Sequence, residues 1–163
     1  VSNQHRSRRL ALQGLCCIDA QGTNSWALVE DFIRDSHEPS MVVDRAIQIL
    51  VEAFDDRSEC DEILKRHARR WDIPRLALVD RNILRLGVHE LRDGDTPFKV
   101  VISEALRLAR EFSSAESPRF VNGILDAVAR EIAYPADNKT DDPTEHPEAT
   151  PPEVSDTDKP AGE

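Results

Sequence analysis

Glu116-Ser117-Pro118-Arg119-Phe120-Val121-Asn122-Gly123-Ile124-Leu125-Asp126 is the stretch on which the reading of the fold turns. Ser117-Pro118 joins a preferred helix-capping residue to a first-turn proline, whose missing N–H is no loss at a helix start. Val121, Leu125 and Val128 then recur at helical spacing until Pro135 stops the pattern. The stretch therefore predicts a helix with one apolar stripe. Gly123 inside it costs about 1 kcal/mol relative to alanine, which points to a close helix crossing. Asn122 reads as a buried, hydrogen-bonded amide. Phe120 is open between two readings: a core residue, or an exposed aromatic beside Arg119 that stacks on a base.

Working back towards the N-terminus, Thr96-Pro97 repeats the same opening before the stripe Val101, Ala105, Leu108 and Phe112. Asp72 and Pro74 precede a helix in which Val79, Ile83, Leu86 and Leu91 share a face. Ser40, after Pro39, caps a helix with Ala46, Ile47, Leu50, Val51 and Phe54 inward; it either runs on to Arg70 or breaks near residues 55–58. Ser25 caps a short helix carrying Trp26, Val29 and Ile33, and residues 6–20 place Ala11, Leu15 and Ile18 on one stripe. No strand alternation and no internal repeat is evident. The predicted architecture is all-α, a bundle of six to seven helices over residues 1–134.

Residues 135–163 differ in kind. They hold six of the ten prolines, nine acids against Lys139 and Lys159, and almost no large apolar residue. Such a segment buries too little surface to offset its ordering entropy, so it reads as a disordered acidic tail. The formal charge of the whole chain is −10, and seven of those charges lie in this tail. The remainder is close to balanced, and its start is basic: Arg6, Arg8 and Arg9 precede any acid. Three arginines at a helix N-terminus oppose the helix dipole, which suggests a task such as pairing with phosphates.

Signatures of catalysis are missing. The six glycines are scattered, so neither phosphate-cradling spacing occurs, and no nucleophile elbow is present. His89-Glu90 begins like a zinc-protease motif, but Asp93 stands where the second histidine belongs. Cys16, Cys17 and Cys60 are odd in number and lack paired spacing, which favours a reducing cytoplasm over a disulfide framework. No apolar run is long enough to span a membrane. The expectation is a cytoplasmic protein that is not an enzyme, with no cofactor and no metal.

Four blocks in order carry a family resemblance: Arg8-Arg9-Leu10-Ala11-Leu12-Gln13-Gly14-Leu15; Val79-Asp80-Arg81-Asn82-Ile83-Leu84-Arg85-Leu86 with His89-Glu90-Leu91; Pro97-Phe98-Lys99-Val100-Val101-Ile102-Ser103-Glu104-Ala105; and the Phe120-Val121-Asn122-Gly123 helix. Together they resemble the NusB family of transcription antitermination factors over about residues 5–134. The resemblance implies two packed helical halves that bind single-stranded boxA-like RNA of nascent ribosomal RNA. It also implies a small-subunit ribosomal protein, acting as NusE, as partner, and loading onto the RNA polymerase antitermination complex. The implied RNA surface is Arg6, Arg8, Arg9, Gln13, Glu116, Arg119 and Phe120, and the implied ribosomal-protein contact is Asp80. Cys16 departs from the family, many of whose members have an aromatic residue there. Two competing readings are the related helical domain of ribosomal-RNA cytosine methyltransferases, if the chain is a fragment, and a helical scaffold without an RNA role.

Overall fold

The structure, a computed structural model, describes residues 1–133, and the acidic tail expected from residue 135 onward lies outside them. Seven α-helices account for most of that span: α1 Asn3–Gln21, α2 Trp26–Arg34, α3 Ser40–Asp55, α4 Arg57–His67, α5 Leu78–Asp93, α6 Phe98–Phe112 and α7 Ser117–Ala133. Short 3₁₀ turns, Thr23–Ser25 and Ile73–Arg75, precede α2 and α5. The described residues contain no strand.

The helices form two packed halves. In the first, α1 lies along α3 with α2 alongside. In the second, α5, α6 and α7 pack against one another, and α4 rests on α5 and α7. Helix α1 also crosses α5 and so joins the halves. The apolar stripes expected from spacing are the core: Ala11, Leu15 and Ile18 on α1, Ile83 and Leu86 on α5, Val101 and Leu108 on α6, Val121, Leu125 and Val128 on α7. Burial of this kind is worth about 25 cal/mol per Å² of apolar surface and dominates the fold's stability.

Polar and charged residues also cross the joint between the halves. Arg8, only 4% exposed, donates to Glu90 of α5 through Nε at 2.9 Å and Nη2 at 2.7 Å. His5, 1% exposed, sits between Glu104 at 2.6 Å and Glu111 at 3.4 Å on α6. Asp19 near the end of α1 accepts from Asn82 at 2.8 Å and Arg81 at 2.9 Å on α5. Burial alone would raise the Asp19 pKa, but the hydrogen bonds from Asn82 and Arg81 outweigh it and hold the carboxyl below its ordinary value.

Several local expectations are corrected. Pro39 and Pro97, not Ser40 and Thr96, occupy the N-cap positions, because each proline keeps an extended ψ (146° and 134°) before the chain turns helical. The serine expected to cap α2, Ser25, donates its hydroxyl back to the Gly22 carbonyl at 2.7 Å instead. Of the two courses left open for the long helix, the break near residues 55–58 is the one taken: α3 ends at Asp55, and the Arg57 guanidinium donates to the carbonyl of Phe54 at 2.7 Å. Gly123 and Asn122 are exposed, so neither a close crossing nor a buried amide lies there. The close crossing falls at Gly87, where an added Cβ would stand 2.8 Å from Leu125 Cδ1. The buried amide is Asn82.

Candidate nucleic-acid interface

The chain between α4 and α5 is pinned by two buried residues, Ala68 and Ile73, so that Arg69, Arg70, Trp71 and Asp72 project between them. Backbone hydrogen bonds shape this projection: the Trp71 N–H donates to the Ala68 carbonyl at 2.8 Å, and the Arg75 N–H to that of Asp72 at 2.8 Å. Arg81 of α5 ties it down by donating to the Pro74 carbonyl at 2.9 Å. Trp71 is left 57% exposed, and its ring meets half-buried Phe120 of α7 edge-on, with centroids 5.0 Å apart and planes at 66°. Such T-shaped pairs hold rings in register without covering both faces.

Around this aromatic pair runs an open cleft of about 1240 Å³. Five arginines line it, Arg66, Arg69, Arg70, Arg75 and Arg119, against three carboxylates, Asp80, Glu116 and Glu131. Two of the three carboxylates are already engaged. Asp80, buried on α5, accepts from Ser113 at 2.6 Å and Ser117 at 2.9 Å and so ties α5 to the α6–α7 corner. Glu131 accepts from Arg66 at 2.5 Å and also pairs with His67. The Arg66 hydrogen bond is the chief reason its carboxyl is held below the usual glutamate value. Arg69, Arg70 and Arg119 have no carboxylate partner among the described residues.

The sequence-based site residues are thus divided by the fold. Glu116, Arg119, Phe120 and Asp80 line one cleft. Asp80 lines that cleft as a buried carboxylate that accepts from two serines, a joint within this chain on the central helix to which the ribosomal-protein contact was assigned. Arg9 lies 2.9 Å from Glu111 and 5.8 Å over the ring of Phe112, so the end of α6 brings it towards the same corner. Arg6 pairs with Glu38 at 3.1 Å. Gln13 is half-buried one turn further along α1. Arg8 is buried instead of presented at that surface: its guanidinium is turned into the joint and bound to Glu90. Cys16, in the position of an aromatic in many family members, is half-buried. Burial, helped by Asp19, pushes its thiol up to about 12, so it is a neutral group there.

Sequence reasoning missed the α4–α5 connector. The signal was present as a basic run, Arg66-His67-Ala68-Arg69-Arg70, closed by a tryptophan. What sequence could not supply was Phe120, which tertiary packing alone brings to it. Among the described residues no helix is long and apolar enough to cross a membrane, and no cluster of His, Cys, Asp or Glu is arranged to hold a metal.

An all-helical protein of two packed halves, with a cationic, aromatic-lined cleft at one corner, has the build of a nucleic-acid-binding adaptor. The NusB family model matches residues 5–130, and the chain belongs to the NusB family. It is 40% identical over 141 residues to the transcription antitermination protein NusB of Solibacter usitatus, covering 83% of this chain and 94% of that protein. It is 38% identical over 137 residues to that of Symbiobacterium thermophilum, covering 78% and 90%. Its fold resembles the solved NusB of T. maritima, with a TM-score of 0.72 and 29% identity over 80% of this chain and 92% of that one. It also resembles a chain in the crystal structure of the antitermination factors NusB and NusE in complex with dsRNA. There the TM-score is 0.71 and the identity 26%, over 78% of this chain and 96% of that one.

Proposed function

We infer that this chain is a non-enzymatic, cytoplasmic RNA-binding adaptor for transcription antitermination. It binds single-stranded boxA-like RNA of nascent ribosomal RNA together with a small-subunit ribosomal protein acting as NusE. In doing so it joins the RNA polymerase antitermination complex and suppresses premature termination. The observation that carries this reading is the match of the NusB family model to residues 5–130, with the cationic cleft at the α6–α7 corner as its physical counterpart. A solved complex of related NusB with NusE and dsRNA supports RNA and NusE as kinds of partner. Relatives that are NusB proteins over 94% and 90% of their length favour this reading over a methyltransferase's helical domain.

In this reading Arg9, Arg119 and Phe120 meet the RNA, with Arg6, Gln13 and Glu116 at its margin. Arginine supplies paired donors to phosphate oxygens, and an aromatic ring supplies a face for a base. No bond is made or broken, so the work is positioning: the adaptor holds a strand and a protein partner together, and each raises the effective concentration of the other. The test is a titration of labelled boxA-like RNA with the full chain, with and without the ribosomal protein, followed by anisotropy. The expected result is salt-sensitive binding that tightens when the ribosomal protein is added. Absence of binding in both conditions overturns the reading.

A further inference from the structure

We propose that the cleft between the α4–α5 connector and α7 is a stacking pocket for an unpaired base of single-stranded RNA, with Trp71 as its platform and the connector arginines as its phosphate clamp. This rests on the RNA-binding reading and adds to it a wall that neither α1 nor the α6–α7 corner supplies.

The first support is the exposure of Trp71. An indole is a large apolar surface, and the two residues that anchor its loop, Ala68 and Ile73, are buried while it stands 57% exposed. Phe120 fixes the ring from one direction by an edge contact, 66° between planes. At least one face of the indole is therefore left uncovered by Phe120, held in place and available for stacking. A rigid ring presented in this way loses little entropy when a base lies on it.

The second support is the charge around the ring. Arg69 and Arg70 immediately precede Trp71, and neither is paired with a carboxylate among the described residues. Arg75 is only loosely placed, 3.6 Å from Asp72 with its side chain 87% exposed. Arg119 faces the same cleft from α7, one residue before Phe120. Uncompensated guanidinium groups flanking an aromatic face match the repeat of a single strand, phosphate beside base. An apolar helix from a protein partner would instead call for a continuous apolar stripe, and five arginines line this cleft around its two rings. The cleft volume, about 1240 Å³, exceeds the roughly 300–1,000 Å³ of a small-molecule pocket and is open, which suits a strand passing through.

The chain has two tryptophans, and the other, Trp26, is half-buried against Phe54. A full-length Trp26→Phe variant therefore reports on Trp71 alone. Titrated with single-stranded boxA-like RNA, its emission is expected to quench in step with the anisotropy of the labelled RNA. Trp71→Ala is expected to weaken that binding by roughly 5- to 150-fold, the range of one base–aromatic stack, with only a small drop in melting temperature from the lost edge contact with Phe120. Trp71→Phe, which keeps a ring, should recover much of the loss. RNA binding with flat Trp71 emission and an unaffected Trp71→Ala variant overturns this proposal and leaves the RNA reading standing. No RNA binding by any form, with or without the ribosomal protein, overturns both. A Trp71 response to the ribosomal protein alone, and none to RNA, makes the cleft a protein surface and also overturns the proposal.

Discussion

Arg6, Arg8 and Arg9 stand within four residues of one another at the start of α1, and Arg69 and Arg70 stand side by side before Trp71. In sequence the two clusters look alike, and the first is the denser. The fold separates them. On α1 each guanidinium meets a carboxylate: Arg6 with Glu38, Arg8 with Glu90, Arg9 with Glu111. In the connector neither Arg69 nor Arg70 meets a carboxylate among the described residues, and a ring lies between them and Phe120. A cluster of like charges is therefore an electrostatic footprint only after its internal partners are subtracted. Much of the α1 cluster serves the joint between the halves; the connector cluster is the one left for a polyanion.

The largest effect expected from this contrast is on stability. Arg8→Ala leaves Glu90 as an unpaired buried carboxylate, and breaking a buried pair in this way costs about 3–5 kcal/mol. Arg69→Ala and Arg70→Ala, at exposed positions, should stay within about 0.5 kcal/mol of the parent. Urea melts of the three variants check the ranking. Replacing Arg8 and Glu90 together by methionine and leucine should cost less than Arg8→Ala alone, since no charge is then stranded. If Arg8→Ala melts like the parent, the joint is not where this arginine acts.

The next effect is on the salt dependence of RNA binding. With about 0.7 per phosphate neutralised on a single strand, Arg69→Ala/Arg70→Ala/Arg75→Ala should flatten the slope of log K against log[salt] by about 2. The pair Arg6→Ala/Arg9→Ala should change it less, because Glu38 and Glu111 already offset those charges. The opposite ranking would put the main phosphate contacts on α1 and break the comparison.

A smaller pair of effects separates core from cleft on the helix faces. Gly87→Ala drives a methyl group against Leu125, itself fully buried, and overpacking of that kind costs about 1–3 kcal/mol. Better helix propensity returns about 1 kcal/mol, so the net loss should be up to about 2 kcal/mol. Gly123→Ala meets nothing within 4 Å and should stabilise by up to about 1 kcal/mol. Thermal melts distinguish the two, and a destabilised Gly123→Ala variant would show that α7 is packed there after all.

The helices and the core were legible because they depend on local spacing. Ala11, Leu15 and Ile18, or Val121, Leu125 and Val128, announce a buried face to any reader of a 3.6-residue period. Cap positions shifted by one residue because a proline in extended geometry occupies the N-cap position at Pro39 and Pro97, with no side-chain cap hydrogen bond. Gly123 misled for a different reason: a glycine's cost in a helix is visible in sequence, but the neighbour that would justify it is not. The family blocks pointed to Glu116, Arg119 and Phe120, which tertiary packing brings to one cleft, and also to Arg8 and Asp80, which it buries. Both of those are charged residues whose partners, Glu90 and the serines Ser113 and Ser117, are distant in sequence. No local pattern reports whether such a charge is satisfied from within.

The smallest effect concerns the acidic residues beyond the described part of the chain. Residues 136–163 carry nine acids and two lysines, and they are covalently attached to the domain that carries the cleft. Attachment alone gives them a high effective concentration near any cationic surface of that domain. We propose that they compete weakly with RNA for it. Deleting 136–163 should then tighten RNA binding at low ionic strength, and the gain should fade as salt shortens the Debye length towards about 8 Å at physiological strength. The deletion also sharpens the contrast between the two arginine clusters. If the connector is the cationic surface that matters, the gain should vanish in the Arg69/Arg70/Arg75 triple variant and persist in the Arg6/Arg9 double variant, a non-additivity that marks a shared partner. A gain that survives in the connector variant and disappears in the α1 variant assigns the competition to α1. Equal binding by the truncated and full chains at low salt leaves these acids with the simpler task of keeping the protein soluble, which net negative charge does on its own.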